Sequence, residues 1–121
     1  MIDAAAVNRP VLVLGALFGA LGVGLAARAS HAEEANLAIA ANFLLFHAPV
    51  FLLLGLLKAN RLMQIAAIVL AVGLALFAGD LAMRSEAGTS LFPFAAPTGG
   101  VSLIGGWVLV AVGAWIGWPK S

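Results

Sequence analysis

The sequence predicts an all-α, polytopic membrane protein: a four-transmembrane-helix antiparallel bundle forming one membrane domain over residues 1–121. Hydrophobic residues make up 64% of the chain and charged residues only 9%, which is far from the composition of soluble globular domains. The apolar residues fall into four long runs separated by short polar connections. Because about 20 apolar helical residues cross the hydrocarbon core of a bilayer, four such runs predict four crossings.

The charge and the cysteine content exclude several other classes of protein. The formal net charge is +1, and the six Lys and Arg residues stand singly along the chain, so nothing resembles a nucleic-acid-binding surface. The chain contains no cysteine, which excludes disulfides, thiolate metal sites and cysteine nucleophiles. Residues 11–27 follow Arg9 as the core of a signal peptide would, but this run is longer than a usual signal core. We expect it to be retained as the first helix.

The second predicted helix, at about residues 35–57, carries the leading candidate functional residue. Its apolar run of 21 residues, 37–57, has His47 at the midpoint, where a titratable group is most costly in a membrane. The structural alternative is a neutral imidazole bonded to a neighbouring helix or to the backbone carbonyl that Pro49 leaves free. Pro49 also predicts a kink near mid-membrane.

The third predicted helix, at about residues 62–83, supplies a second candidate polar site. Asp80 lies one turn before Arg84, which is the spacing of a helical ion pair. Asn42 of the second helix lies at a depth similar to that of Asp80, so the two side chains are candidates to meet. His47 is deeper and faces about 140° away from Asn42, so these residues form no continuous polar path within one chain.

Small residues recur at helical spacing and predict the contacts between helices. Such residues let helix backbones approach closely in lipid. A phosphate-binding reading of the glycines near the N-terminus is disfavoured, because no strand precedes them and no Lys-Ser pair follows. The predicted packing residues are Gly15, Gly19 and Gly22 in the first helix, Ala41, Ala48 and Gly55 in the second, and Gly106, Gly113 and Gly117 in the fourth.

The remaining connection and the fourth helix predict how the chain meets the membrane surface. Residues 85–98 form the longest connection, in which Phe92 and Phe94 are expected to lie at the headgroups. Thr98 is expected to cap the fourth helix, at about residues 99–118, and Trp115 and Trp118 to anchor its exit.

The Lys and Arg residues predict the orientation of the chain. Four of them lie on the side that holds both termini, and two, Arg28 and Arg84, lie on the other. The positive-inside tendency therefore favours cytoplasmic termini.

Four fragments of the sequence carry a family resemblance. They are LGALFGALGV (14–23) leading to ASHA (29–32), NFLLFHA (42–48), FAGDL (77–81), and PTGG (97–100) with GGW (105–107). Their order and spacing resemble the small four-helix membrane proteins of the YgdD type, a family of unknown function. The chain departs from the usual pattern at Asp80, where a small hydroxyl residue is expected. The resemblance implies a multi-pass protein of the bacterial inner membrane and supplies no reaction.

The residue pattern favours an interaction protein over an enzyme. No Ser, His and carboxylate set shares a depth, and neither paired carboxylates nor metal-spaced histidines occur, so we expect no catalysis, no cofactor and no metal. A haem or chlorin held by one histidine is a less favoured alternative. We expect a non-catalytic accessory subunit that packs in a homo-oligomer, in a larger membrane complex or against lipid. The alternative is a small transporter or channel that uses His47 and Asp80.

Overall fold

Four α-helices form the protein in the computed structural model, which describes residues 7–32, 35–57 and 60–116. They are α1 (Arg9–Ala32), α2 (Ala35–Leu56), α3 (Arg61–Ala87) and α4 (Ala95–Ile116), and the described residues include no strand. Each helix is long and apolar enough to cross a membrane. The prediction of an all-α protein with four membrane helices is therefore confirmed.

The helices pack as two antiparallel hairpins. The first hairpin consists of α1 and α2, the second consists of α3 and α4, and the two meet through α2 and α3. Buried side chains are concentrated on α2 and α3, so α1 and α4 are the more exposed helices. The large apolar residues of the core are Phe18, Leu44, Phe51, Leu54, Met63, Leu70, Leu74 and Leu103.

An asparagine closes each hairpin at the same end of the molecule. The side-chain oxygen of Asn8 accepts from the Val11 N–H at the start of α1, while the backbone N–H of Asn8 donates to Gly55 O at 2.9 Å. The side-chain oxygen of Asn60 accepts from the Met63 N–H at the start of α3, and its Nδ2 donates to Gly113 O of α4 at 3.1 Å. Each asparagine thus caps one helix and bonds the end of the next.

Small residues allow the helices of each hairpin to approach closely. A Cβ added at Gly22 would lie 2.8 Å from Leu45 Cγ of α2, and one added at Gly106 would lie 2.7 Å from Leu70 Cδ2 of α3. The closest approach is at Gly99, where an added Cβ would lie 2.5 Å from Phe77 N. Ordinary carbon contacts are about 3.5–4.0 Å, so no side chain fits there without displacing α4.

Both ends of α1 and α3 lie beyond their predicted spans and α4 begins before its own, because helical hydrogen bonding continues through flanking residues that a count of apolar residues leaves out, whereas α2 ends at Leu56, one residue before the prediction. The largest difference is at the end of α1, which continues to Ala32, and α4 begins at Ala95 instead of about residue 99. The prediction that Thr98 caps this helix is wrong: its N–H already donates to Phe94 O at 2.9 Å. Pro97 is tolerated in this first turn, where its missing N–H has no helical partner. Phe94 precedes the helix with a left-handed φ of 67°.

The connection between α3 and α4 is correspondingly shorter than the predicted 85–98. The last turn of α3 ends in Gly88, whose N–H donates to Arg84 O at 3.2 Å and whose φ of 75° is left-handed. Phe92 and Phe94 lie exposed in the short connection, as Trp115 does near the end of α4. Pro49 lies inside α2 at an exposed position, and the kink there stays a prediction. The predicted residues Gly117 and Trp118 lie outside the described residues.

Candidate functional site

His47 lies near the middle of α2, with 7% of its surface exposed. Its Nδ1 is 2.8 Å from Phe43 O, one turn earlier in the same helix. Its Nε2 is 3.1 Å from the indole Nε1 of Trp107, on α4. Both ring nitrogens are therefore within hydrogen-bonding distance of a partner.

The two partners determine which nitrogen of the His47 ring carries the proton. A carbonyl oxygen only accepts hydrogen bonds and an indole N–H only donates them. Nδ1 therefore carries the hydrogen and donates it to Phe43 O, and Nε2 accepts from Trp107. Protonating Nε2 as well would place two donors face to face and remove the hydrogen bond between α2 and α4.

Aromatic rings surround His47 on the side that opens toward the outside of the bundle. Phe43 stacks near the imidazole at a centroid distance of 6.0 Å, and it contacts Phe77 of α3 at 4.5 Å. The Trp107 ring lies 5.7 Å from the imidazole. Together with Leu103 and residues nearby on α4, these rings line an apolar cleft of about 280 Å³.

The cleft differs from a typical metal or haem site in the chemistry that it offers. His47 is its only titratable lining residue, and Nε2 would have to leave Trp107 before it could ligate an iron or magnesium centre. Among the residues that the structure describes, no group of three or more potential ligand residues could hold a metal ion. What the cleft provides is a hydrogen bond between two helices in apolar surroundings.

Asp80 forms a second polar cluster, at the end of the bundle where α3 stops and α4 begins. Its side chain is fully buried. One carboxylate oxygen accepts from Arg84 Nε at 2.9 Å, and the other accepts from the Leu91 N–H at 2.8 Å. The backbone N–H of Ala96, in the first turn of α4, lies close enough to favour the charged carboxylate electrostatically.

The geometry at Asp80 gives its negative charge a structural use. The carboxylate lies against the N-terminal turn of α4, where unpaired N–H groups and the helix dipole favour an anion. It also fixes the connection through Leu91 and pairs with Arg84 of its own helix. Asp80 thus joins α3 to the connection that leads into α4.

The predicted site residues are not brought together as one site. The partners of His47 are Phe43 and Trp107, whereas Asp80 bonds Arg84 and the connection after α3. The expected meeting of Asn42 and Asp80 does not occur. A similar depth in the membrane does not bring the two side chains together, because Leu44 is the residue of α2 that faces the small residues of α3. Asn42, two positions earlier, faces elsewhere.

Asn42 is exposed on the outer side of the first hairpin. It lies at the edge of a shallow groove between α1 and α2, together with Ser30 and four alanines: Ala26, Ala29, Ala38 and Ala41. Within the described ranges, no hydrogen bond joins the Asn42 amide to another residue. The amide lies about 10 Å along the helix from Ala35, within a helix that is long and apolar enough to span a membrane.

Two contacts that the structure shows, made by Trp107 and Asn60, were not predicted from the sequence. Trp107 was noticed only as part of a family fragment, although an indole N–H near the middle of an apolar helix needs an acceptor, and His47 lies at matching depth. Asn60, which bonds α4, lies between the second and third predicted helices and was not among the predicted site residues. In both cases the polar N–H of the side chain indicated that a partner was needed. The partner could not be identified from the sequence, because the sequence does not show how α4 is rotated about its axis.

A comparison with protein families identifies the chain at the level of family. Residues 14–100 match the model of a family described as a protein of unknown function, DUF423. No curated protein and no solved structure matches the chain. The resemblance to the YgdD type stays a prediction. Since the family match covers well over half of a chain whose four helices can each span a membrane, this protein belongs to the DUF423 family.

Proposed function

We propose that this protein is a non-catalytic interaction or accessory subunit, which binds a partner helix along the outer groove of its first hairpin. The partner is a second copy of the chain or a helix of a larger membrane complex. The observation that carries the proposal is the exposed Asn42 amide within a span of the membrane. A polar group without a partner is unfavourable in hydrocarbon, and interhelical hydrogen bonds are how such groups are satisfied in membrane proteins.

The surroundings of Asn42 support the same interpretation. The groove beside it is built from alanines and one serine, so a helix backbone can approach without meeting large side chains. A polar residue with small neighbours is typical of helix contacts in membranes, whereas lipid-facing surfaces of this chain carry large apolar residues such as Phe46 and Ile68. The groove thus differs chemically from surfaces that carry large apolar side chains, because it combines small residues with an amide.

Cysteine crosslinking tests the proposal directly, because the natural chain contains no cysteine. Ala38→Cys places one thiol in the groove, and Thr98→Cys is the matched control, since each is the exposed fourth residue of its helix. In native membranes treated with an oxidant or a short bifunctional reagent, we expect a discrete crosslinked product from Ala38→Cys and none from Thr98→Cys. Its mass distinguishes a second copy from another protein.

A second substitution ties the crosslink to the amide. Adding Asn42→Leu to the Ala38→Cys variant is expected to reduce the yield about fivefold, since an interhelical hydrogen bond contributes roughly 1 kcal/mol in membranes. Adding Asn42→Gln, which keeps an amide, is expected to preserve most of the product. Equal crosslinking from both cysteine positions, or a product insensitive to Asn42→Leu, would refute the proposal.

The alternative function, a small transporter or channel that uses His47 and Asp80, receives less support from the geometry. His47 is engaged in a hydrogen bond that joins two helices, Asp80 is bonded to the connection between α3 and α4, and the cleft at His47 is apolar. A transport role requires that His47→Ala abolish flux in liposomes while the protein remains folded.

We also propose that the chain is a multi-pass protein of the bacterial inner membrane with both termini in the cytoplasm. The support for this is the distribution of Lys and Arg, four on one side against two on the other. Fusing a periplasm-specific reporter to either terminus is expected to give no signal. The same reporter inserted after Gly88, in the connection between α3 and α4, is expected to be active.

A further inference from the structure

A second groove, on the other side of α1, has the features of a binding site for a lipid chain. It lies between α1, α2 and α3 and has a volume of about 280 Å³. Leu21 and Leu25 of α1 and Leu44 of α2 form its large walls, whereas the residues contributed by α3 are all alanine or glycine. Because α3 offers no side chain long enough to fill the groove, the space stays open along about two turns of helix.

An ion pair crosses the polar end of this groove. Arg28 lies one turn beyond Leu25 on α1, and Glu86 lies one turn beyond Ala82 on α3. Arg28 Nε is 3.0 Å from one carboxylate oxygen of Glu86, and its NH2 group is 3.3 Å from the other. The two side chains are 61% and 45% exposed. The guanidinium therefore lies at the mouth of the groove and retains N–H groups for another acceptor.

A shallower apolar groove lies on the adjoining face of α1. It has a volume of about 420 Å³ and is lined by Leu17, Ala20 and Gly24 together with Leu21 and Leu25. Leu21 and Leu25 are thus shared and form a ridge between the two grooves. This arrangement can hold the two chains of one lipid on either side of a single helix.

We infer that this site binds an anionic glycerophospholipid, with one acyl chain in the groove between α1 and α3 and the phosphate at Arg28. Apolar cavities do not hold water, and within a bilayer the available apolar filler is hydrocarbon. The fork of Arg28 matches the geometry of a phosphate, and each Arg near a membrane surface strengthens binding to anionic lipid. Glu86 competes with the phosphate for Arg28. The site is independent of the proposed protein interface, because Asn42 and Leu44 face different directions on α2.

Arg28 and Glu86 have opposite effects on lipid binding in this proposal, so substituting each of them distinguishes a phosphate site from a general loss of structure. Arg28→Gln removes the phosphate ligand, whereas Glu86→Gln removes its competitor. An exposed ion pair contributes little to folding, so both variants are expected to fold, as circular dichroism will verify. Binding of phosphatidylglycerol and of phosphatidylcholine to the full chain in mild detergent is measured by native mass spectrometry.

We expect phosphatidylglycerol to bind about fivefold more weakly to Arg28→Gln, and more tightly to Glu86→Gln, than to the natural chain. Ala75→Leu fills the groove from an exposed position and is expected to weaken both lipids, while Ala111→Leu, on the exposed side of α4, leaves binding unchanged. Equal shifts from the two ion-pair variants, equal binding of the two lipids by the natural chain, or normal binding by Ala75→Leu would overturn the proposal.

Discussion

The hydrogen bond between His47 and Trp107 is the most informative place to perturb this protein. It joins α2 of the first hairpin to α4 of the second, and it gives a titratable group a structural use. His47→Phe keeps a ring and removes both nitrogens, and Trp107→Phe keeps a ring and removes the donor. The double variant completes a cycle that isolates the energy of the pair.

The structure sets the expected size of the effect. His47 is 7% exposed, so losing the Trp107 donor leaves Nε2 unsatisfied in apolar surroundings, which costs about 1–3 kcal/mol. Hydrogen bonds between membrane helices contribute roughly 0.6 kcal/mol on average and about 1.7 at most. Each single variant is therefore expected to lower the free energy of unfolding by about 1–2 kcal/mol. The double variant is expected to lose about 1 kcal/mol less than the sum of the singles.

The measurement is unfolding by sodium dodecyl sulfate from dodecyl maltoside micelles, followed by far-ultraviolet circular dichroism. Trp115→Phe provides the matched control, because Trp115 is 87% exposed and its combination with His47→Phe is expected to be additive. Additivity of His47→Phe and Trp107→Phe within about 0.3 kcal/mol would refute the reasoning. Nitrogen-15 spectra offer an independent reading: a neutral ring with hydrogen on Nδ1 is expected, and a ring with hydrogen on Nε2 would contradict the assigned bonds.

Three further predictions concern the second hairpin and use the same unfolding measurement. Gly99→Ala is expected to destabilise by about 1–3 kcal/mol because the new methyl meets the backbone of α3. Gly105→Ala, where an added Cβ meets nothing within 4 Å, is expected to be neutral or to stabilise by up to about 1 kcal/mol; similar effects at the two glycines would contradict the close crossing. Asp80→Ala is expected to cost about 2–3 kcal/mol, since it removes the bonds of a buried carboxylate to the connection and to Arg84. Arg84→Gln, at the half-exposed end of the ion pair, should cost less than about 1 kcal/mol, and a larger loss from Arg84→Gln would show that the ion pair dominates. Phe94→Asn is expected to stabilise by about 1 kcal/mol, because Asn tolerates a left-handed φ better than Phe, whereas a loss of stability would mean that the exposed ring makes important contacts.

The number, order and approximate ends of the helices were predictable from sequence because a bilayer imposes them. A run of about 20 apolar residues has few structural options in lipid other than a helix, so the four runs were sufficient. The pairing of Asp80 with Arg84 was predictable for a similar reason, since a spacing of four residues places both side chains on one helical face. These are properties of single helices.

Contacts between helices were predicted less well, because they depend on how each helix is rotated about its axis. Depth alone suggested that Asn42 could meet Asp80, but Leu44 is the residue that faces α3. Trp107 was not predicted as the partner of His47 for the same reason, since the rotation of α4 about its axis was unknown. Thr98 was likewise predicted to cap α4, which has already begun at Ala95.

The asparagines at the hairpin ends have a consequence for how the molecule can be divided. Asn8 and Asn60 perform the same task in the two halves: each begins one helix and holds the end of its partner. Each hairpin is therefore held together by hydrogen bonds between its own two helices and does not need the other hairpin to keep them paired. A chain severed between α2 and α3, with the two pieces produced together, is expected to reassemble in the membrane as a complex of fragments.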